Sequence, residues 1–323
     1  MQLKNPIKKS FFGEIFLFIA LLIPNLASLF AESSWICEIS THFRVQYFIG
    51  ACIISFMLMI SKNWLLVFIT LLIGIFNGYE VIKFSNNIKI EEPKLTLYHH
   101  NILLANKNLE EITDHIIDNN YDVAIIQEAT PHLSQHIEKL RKKFPYIIDR
   151  AKYGAYGNII LSQHKITQQQ IIPFNKNIQL GHNVIENEAI TFSITHPEYD
   201  EDITIYTFHA VVGLSKETQI WRDQDLKDLS SIVSNNSSKY KILTGDWNIT
   251  PYSPVFKQIL DLSELEFYTS NIYSTPTWPS PLKYKIFQIP IDYILTSKNM
   301  KADISVLKNS MGSDHYPVIA KIK

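Results

Sequence analysis

Apolar positions are distributed along this chain in two ways. In the first quarter they form three nearly unbroken runs, "FFGEIFLFIALLIPNLASLF", "FRVQYFIGACIISFMLMI" and "NWLLVFITLLIGIFNGY", at about residues 11–30, 43–60 and 63–80. Each is close to the ~20 residues a helix needs to cross the ~30 Å of a bilayer's hydrocarbon core. After "SNNIKIEEP", a polar linker closed by Pro93, the apolar runs shorten to strand length and alternate with helix-period stretches. The pattern therefore predicts a membrane anchor of three transmembrane helices over residues 1–90 and a separate α/β domain over 91–323. A signal peptide followed by core helices fits less well. The first run is long for an h-region, "LFA" before Glu32 is a poor cleavage site, and two further runs would remain.

Within the second region, strands are expected at "LTLYHHNILL", "YDVAIIQE", "GNIILS", "AITFSIT", "ITIYTFHA", "YKILTGDWN", "IPIDYILTS" and "HYPVIAKIK". Helices are expected at "NLEEITDHIIDNN", at "PHLSQHIEKLRKKF" with Pro131 in its first turn, and at "SKETQIWRDQDLKDLSSIVSNN" with Ser215 as its cap. Helices alternating with strands, and strand pairs resembling hairpins, imply mixed sheets covered by helices.

Charge sets an orientation. Lys4, Lys8 and Lys9 precede the first run, whereas the loop after it holds Glu32 and Glu38 and no Lys or Arg. By the positive-inside rule the N-terminus is expected to be cytoplasmic, and three crossings leave the α/β domain outside, periplasmic or extracellular. Lys62 agrees with this orientation, and Arg44, Lys83 and Lys89 count against it. The two cysteines, Cys37 and Cys52, both lie in the anchor, so the α/β domain has neither a thiolate nucleophile nor a cysteine zinc site. The anchor holds seven of the 30 Lys/Arg and four of the 31 Asp/Glu, leaving a net charge of -4 on the rest. That balance counts against non-specific phosphate binding.

Polar residues recur where the predicted strands end. Asn101 follows "HH", Glu128 closes "VAIIQE", His209 closes "IYTFHA", Asp246 and Asn248 close "ILTGDWN", Asp292 interrupts "IPIDYIL", and Asp314 and His315 precede the last run. Sites in α/β proteins gather at such strand ends. Glu128, Asp314 and Asn101 are hard oxygen ligands suited to Mg²⁺ or Mn²⁺. A carboxylate with two imidazoles can activate water and stabilise charge on a phosphoryl group, and Asp292 can orient one imidazole.

These residues, with "HHNIL", "IIQE", "YGNIILS", "FHA", "TGDWN", "PTWP", "IDYIL" and "GSDHYP" in order from Tyr98 to Pro317, give the chain its resemblance to the endonuclease/exonuclease/phosphatase superfamily. That superfamily includes DNase I-like nucleases, sphingomyelinases and inositol phosphatases. The resemblance implies a four-layer α/β sandwich of two mixed β-sheets flanked by helices, and a metal-dependent phosphoric ester hydrolase. It implies Glu128 as principal metal ligand with Asn101 and Asp314 beside it. Asp246 would orient or deprotonate water, Asn248 contact phosphate, His315 act as acid/base held by Asp292, and His209 contact the phosphoryl oxygens. Arg222 is a candidate for binding phosphate or bracing a loop, and Trp278 for packing or a substrate platform. "TFHAVVGLSKETQIWRDQDL" looks more like the phosphatase, sphingomyelinase and membrane-anchored bacterial branches than the DNA-repair branch, and Tyr293 stands where many relatives have histidine. His99, His100, His164 and His182 are expected to be solvated or satisfied. The expected activity is hydrolysis of a phosphodiester or phosphomonoester by a membrane-anchored enzyme outside the cytoplasm. Its partners are the lipid bilayer and the phosphate ester (lipid headgroup, nucleic acid or small molecule), with no protein partner inferred. A DNase-like nuclease and a catalytically silent membrane-tethered module are the alternatives.

Overall fold

The computed structural model describes residues 6–86, 88–180, 183–269, 275–282 and 284–323; Lys4 and His182 lie outside the described residues. The chain divides into two compact units, Met1–Phe84 with Thr250–Pro254, and Ser85–Ile249 with Val255–Lys323.

The first unit carries helices α1 (Pro6–Ala27), α2 (Trp35–Ile39), α3 (Arg44–Ile60) and α4 (Trp64–Ile82). Three segments, Phe12–Phe30, Trp35–Ile60 and Trp64–Ile82, are long and apolar enough to cross a membrane. The second is longer than the sequence pattern predicts, because "WICEI" adds a helical turn ahead of α3. Small residues let α3 and α4 approach, with Gly74 facing Ala51. One end of the bundle is tied by polar side chains. Asn77 Nδ2 donates to Asn25 Oδ1 at 2.7 Å, and Arg44 donates to Asn77 Oδ1 at 3.2 Å and to Ser28 Oγ at 3.0 Å. Arg44, a charge that counts against the expected orientation, is thus buried and committed to a hydrogen-bond network.

The second unit is built on two six-stranded mixed sheets. One holds β1 (Leu95–Asn101), β2 (Val123–Gln127), β3 (Tyr146–Arg150), β4 (Asn158–Ser162), β11 (Ala302–Val306) and β12 (Val318–Ile322), in the order β11-β12-β1-β2-β4-β3. The other holds β5 (Ile166–Leu180), β6 (Asn183–Ile194), β7 (Ile203–Phe208), β8 (Tyr240–Asp246), β9 (Leu265–Phe267) and β10 (Asp292–Ser297), in the order β5-β6-β7-β8-β10-β9. The pairs β1–β2 and β7–β8 are parallel, and the remaining ladders are antiparallel.

Strands that alternate two apolar faces make the layers. Leu97, Ile125, Ile160 and Val318 of one sheet meet Phe192, Ile205, Ile242 and Ile294 of the other in a core between the sheets. Their neighbours in sequence face outward. Tyr98, Ala124 and Ile126 pack with residues of α5 (Leu109–Asp118), α6 (Pro131–Ser134) and α7 (Ile137–Arg141), and Tyr206 and Leu243 with residues of α8 (Lys216–Asn235) and α9 (Pro254–Ser263). The result is the four-layer α/β sandwich. The helix expected from Pro131 is broken into α6 and α7. Ser215 caps α8, its Oγ accepting Thr218 N–H at 3.1 Å while Thr218 Oγ1 accepts Ser215 N–H. Gly245 has φ +153°, and a Cβ there would lie 1.8 Å from Phe208 O, so only glycine lets β7 and β8 approach.

Candidate functional site

The odd-numbered face of β1 and β2, apolar at Leu95, Leu97, Val123 and Ile125, continues into His99, Asn101 and Gln127. On the other sheet the same inward face continues from Ile205 to Thr207, from Ile242 to Asp246, and back from Ile294 to Asp292. Strand register places Asp292 opposite Asp246, and Asn101 opposite Gln127. The inter-sheet core thus ends in a polar cluster where β1, β2, β7 and β8 reach their C-terminal ends.

A chain of close polar contacts runs through it. His315 Nδ1–H donates to Asp292 Oδ2 at 2.9 Å, and His315 Nε2 lies 3.7 Å from Asp246 Oδ2. His209 approaches the same oxygen at 3.5 Å, with its Nδ1–H fixed by Ala155 O at 3.0 Å. Asn101 Nδ2 donates to Asp246 Oδ2 at 3.1 Å and to Glu128 Oε1 at 3.0 Å. These amide and imidazole assignments follow from their partners. Asp246, Asp292, His315 and His209 are all buried.

Left-handed backbone aims two of these groups. Glu128 has φ +58° and Asn248 φ +53°, conformations that cost a non-glycine residue about 1–3 kcal/mol and concentrate at functional sites. Glu128 is held there by Leu104 N–H, which donates to Oε2 at 2.7 Å. Asn248 is held by three bonds: its N–H to Asp246 Oδ1 at 3.0 Å, its Nδ2 to Ala210 O at 2.9 Å, and its carbonyl accepting Arg222 Nη1 at 3.2 Å. Arg222 is buried and also pairs with Asp223 at 2.8 Å, so it braces the loop. Asp314, in the loop before β12, is half-buried and its Oδ2 accepts Trp278 Nε1–H at 3.1 Å. The indole of Trp278 therefore holds a carboxylate. Tyr293 Oη donates to the backbone carbonyls of Ile249 and Pro290, each at 2.8 Å, and takes a structural place beside Asp292.

Burial and charge set the protonation states. Burial disfavours the His315 imidazolium, but the charges of Asp292 and Asp246 and the Nδ1–H bond override it and push the group up to about 10. Burial, with the charge of Asp292, pushes Asp246 up to about 6. Burial also favours neutral Asp292, yet the His315 charge and hydrogen bond hold it below the ordinary carboxylate value. The site thus presents a cationic imidazole beside a carboxylate of raised basicity.

Four residues here escape the sequence reading. Gln127 Oε1 accepts both Asp246 N–H at 2.9 Å and His99 Nε2–H at 3.1 Å, while its Nε2 donates to Thr207 at 3.2 Å, joining the two sheets. His99 is buried, with Nδ1 3.9 Å from Asp292 Oδ1, and burial lowers its pKa. The parity of β1 and β2 already carries the signal, since His99 and Gln127 occupy core-facing positions. Tyr156 lies with its ring 5.3 Å from that of His209, its phenol pushed up to about 12 by burial. Asn158, buried on β4 opposite Gln127, is the fourth. His100 is satisfied as expected, between Tyr98 Oη and His315 O, and burial pushes it down to about 3.

The donor set accommodates a hard divalent cation. Glu128 and Asn101 offer carboxylate and amide oxygens, and the two Glu128 oxygens, one hydrogen bond each, retain lone pairs.

The sequence model of the endonuclease/exonuclease/phosphatase family matches residues 98–315, which span every residue of this cluster. The chain belongs to that family. No curated protein matches it by sequence. Among solved family-like structures, mannosyl-6-phosphatase of Bacteroides thetaiotaomicron is similar with a TM-score of 0.57 and 14% identity, over 71% of this chain and 99% of that one. Sphingomyelinase C of Streptomyces griseocarneus is similar at 0.51 and 16%, over 70% and 98%. A beta toxin mutant of Staphylococcus aureus with bound magnesium ions is similar at 0.55 and 18%, over 71% and 99%. At these identities the likeness is one of fold.

Proposed function

We propose that this family member is a membrane-anchored, divalent-cation-dependent phosphoesterase that hydrolyses a phosphodiester at a lipid surface outside the cytoplasm. The observation that carries the reading is the buried Asp292–His315–Asp246 chain, joined through Asn101 to Glu128. Asp246, pushed up to about 6, is ionised at neutral pH yet basic enough to take a proton from water. His315 already carries its second proton, so it stabilises a phosphoryl oxygen or protonates a leaving group and does not serve as the base. Asp292 fixes the imidazole and its charge. Asn248 Nδ2 and the neutral Tyr156 phenol are further donors at the same end of the sheets. Glu128 and Asn101, with Asp314 as a further carboxylate, would hold Mg²⁺ or Mn²⁺, which when bound neutralises charge on the phosphate.

Tethering supports the lipid-surface assignment, because an anchored enzyme sits at high effective concentration beside lipid headgroups. The three apolar helices supply the anchor, and the Lys4, Lys8 and Lys9 cluster supplies the cytoplasmic N-terminus. The likeness of the fold to a sphingomyelinase and to a mannosyl-6-phosphatase is in keeping with a phosphate ester substrate. The test is hydrolysis by the full chain in detergent micelles, with Mg²⁺, Mn²⁺ or EDTA, against phospholipid vesicles, a generic phosphodiester, a phosphomonoester and DNA, beside Asp246→Ala. Cation-dependent turnover of vesicles or diester that the substitution abolishes is expected. Turnover of DNA alone would replace this reading with a nuclease, and turnover that survives Asp246→Ala would remove the assigned base.

A further inference from the structure

A second carboxylate–imidazole cluster lies at the other end of the same sheets. Asp122 stands just before β2, His164 two residues after β4, and His196 two residues after β6. His164 Nε2 lies 3.0 Å from Asp122 Oδ1, and His196 Nε2 3.9 Å from the same oxygen. One ligand atom from each residue falls within 4.8 Å of the others. The imidazoles pack against each other with ring centroids 4.2 Å apart. His196 is buried, while Asp122 and His164 keep one side open to solvent.

We infer that Asp122, His164 and His196 form a binding site for a borderline divalent transition ion, Zn²⁺ in the first instance, separate from the oxygen-rich catalytic centre. Two imidazoles and one carboxylate with an open side are a donor set that suits Zn²⁺ over Mg²⁺, water completing the coordination. The carboxylate is already aimed. Asp122 Oδ2 is taken by Thr96 N–H at 2.7 Å, leaving Oδ1 towards the two rings.

Ligation needs one rearrangement. His196 Nδ1 now accepts Glu198 N–H at 3.2 Å, which leaves its ring proton on Nε2. On binding, that proton moves to Nδ1 and the Glu198 N–H, on an exposed turn, turns to water. His164 likewise exchanges its Nε2–H···Asp122 bond for the ion. Because Asp122 and His164 belong to one sheet and His196 to the other, the ion would staple the sheets at the end remote from catalysis.

The test uses the full chain in detergent micelles, stripped with chelator and equilibrated with Zn²⁺ in excess Mg²⁺, then gel-filtered and assayed for bound zinc and Tm. Wild type is expected to retain one zinc equivalent more than His164→Ala or His196→Ala, and to gain about 5 °C in Tm at a hundredfold excess over Kd, a gain the variants lack. His164→Gln, which keeps a donor for Asp122 and loses the ligand, is expected to behave like His164→Ala and guards against loss of fold. Equal zinc content and equal Tm response in wild type and all three variants would overturn the site.

Discussion

The two ends of the β-sandwich carry carboxylates and imidazoles in different arrangements. At one end His315 lies between two aspartates, with His209 and His99 each beside one of them, and at the other two histidines share one aspartate. The number of carboxylates facing each imidazole decides what it can hold. Asp246 and Asp292 make His315 a trapped cation, so that cluster stores a proton. Burial, and then the neighbouring His164, hold His196 below its ordinary value, so that imidazole presents a lone pair. Burial sharpens the contrast: the side chains of Asp246, Asp292 and His315 are 2%, 1% and 6% exposed, whereas Asp122 and His164 keep 26% and 18%.

The largest effect that can break this comparison is Asp246→Asn. It removes the proposed base and keeps the shape, and a loss of about 10³-fold in kcat is expected on the substrate that the hydrolysis test identifies. Tm at pH 7 should hold or rise. Asp246 is raised above its unfolded value, so the cost of ionising it builds from about pH 4 and is complete above about pH 6, and the amide relieves that cost. A large fall in Tm alongside the lost activity would show that the carboxylate is structural.

Asp292→Asn comes next, with about a 10²-fold loss at alkaline pH. His315 has a folded pKa raised to about 10, so its contribution to stability is complete below the unfolded value near 6.5 and is lost as pH rises through about 10. Without Asp292 the alkaline limb of the pH–kcat/KM profile should move towards neutrality, and Tm should become less sensitive to pH between 7 and 10. A limb that stays in place would assign the His315 charge to Asp246 alone. Smaller again is Glu128→Gln, expected to raise the Mg²⁺ concentration for half-maximal activity about tenfold or more while sparing the pH profile. An unchanged Mg²⁺ requirement would remove Glu128 from the cation's ligands.

The sequence reveals these clusters unequally, for physical reasons. Catalytic-end residues follow long apolar runs, so Asn101, Glu128, Asp246 and Asp292 stand out as polar interruptions where burial is obligatory. Gln127 and His99 stand inside those runs, and only the period-2 parity of a strand, fixed once its neighbours are known to face the core, distinguishes a site residue there from a satisfied core residue. The edge strands β3, β5 and β11 give weaker signals, since their exposed positions dilute the apolar pattern. Asp122, His164 and His196 are separated by 42 and 32 residues and meet only because antiparallel pairing of β2 with β4, and stacking of the two sheets, returns three chain ends to one place. No local pattern encodes that meeting.

The smallest effect on activity, and the sharpest probe of the carboxylate argument, is His164→Asp. It turns the remote cluster into two carboxylates around one histidine, the arrangement found around His315. If composition governs the proton, the His196 midpoint followed by NMR should move to higher pH, because a repelling imidazole is replaced by an attracting carboxylate. The move should be smaller than that of His315, since Asp122 and the new carboxylate remain partly hydrated and water screens their charge. Hydrolysis should stay within about twofold of wild type, because the substitution lies outside the catalytic cluster. A His196 midpoint that stays fixed or falls would mean that burial alone sets its proton, and that the contrast between the two ends is one of depth and owes nothing to the count of carboxylates.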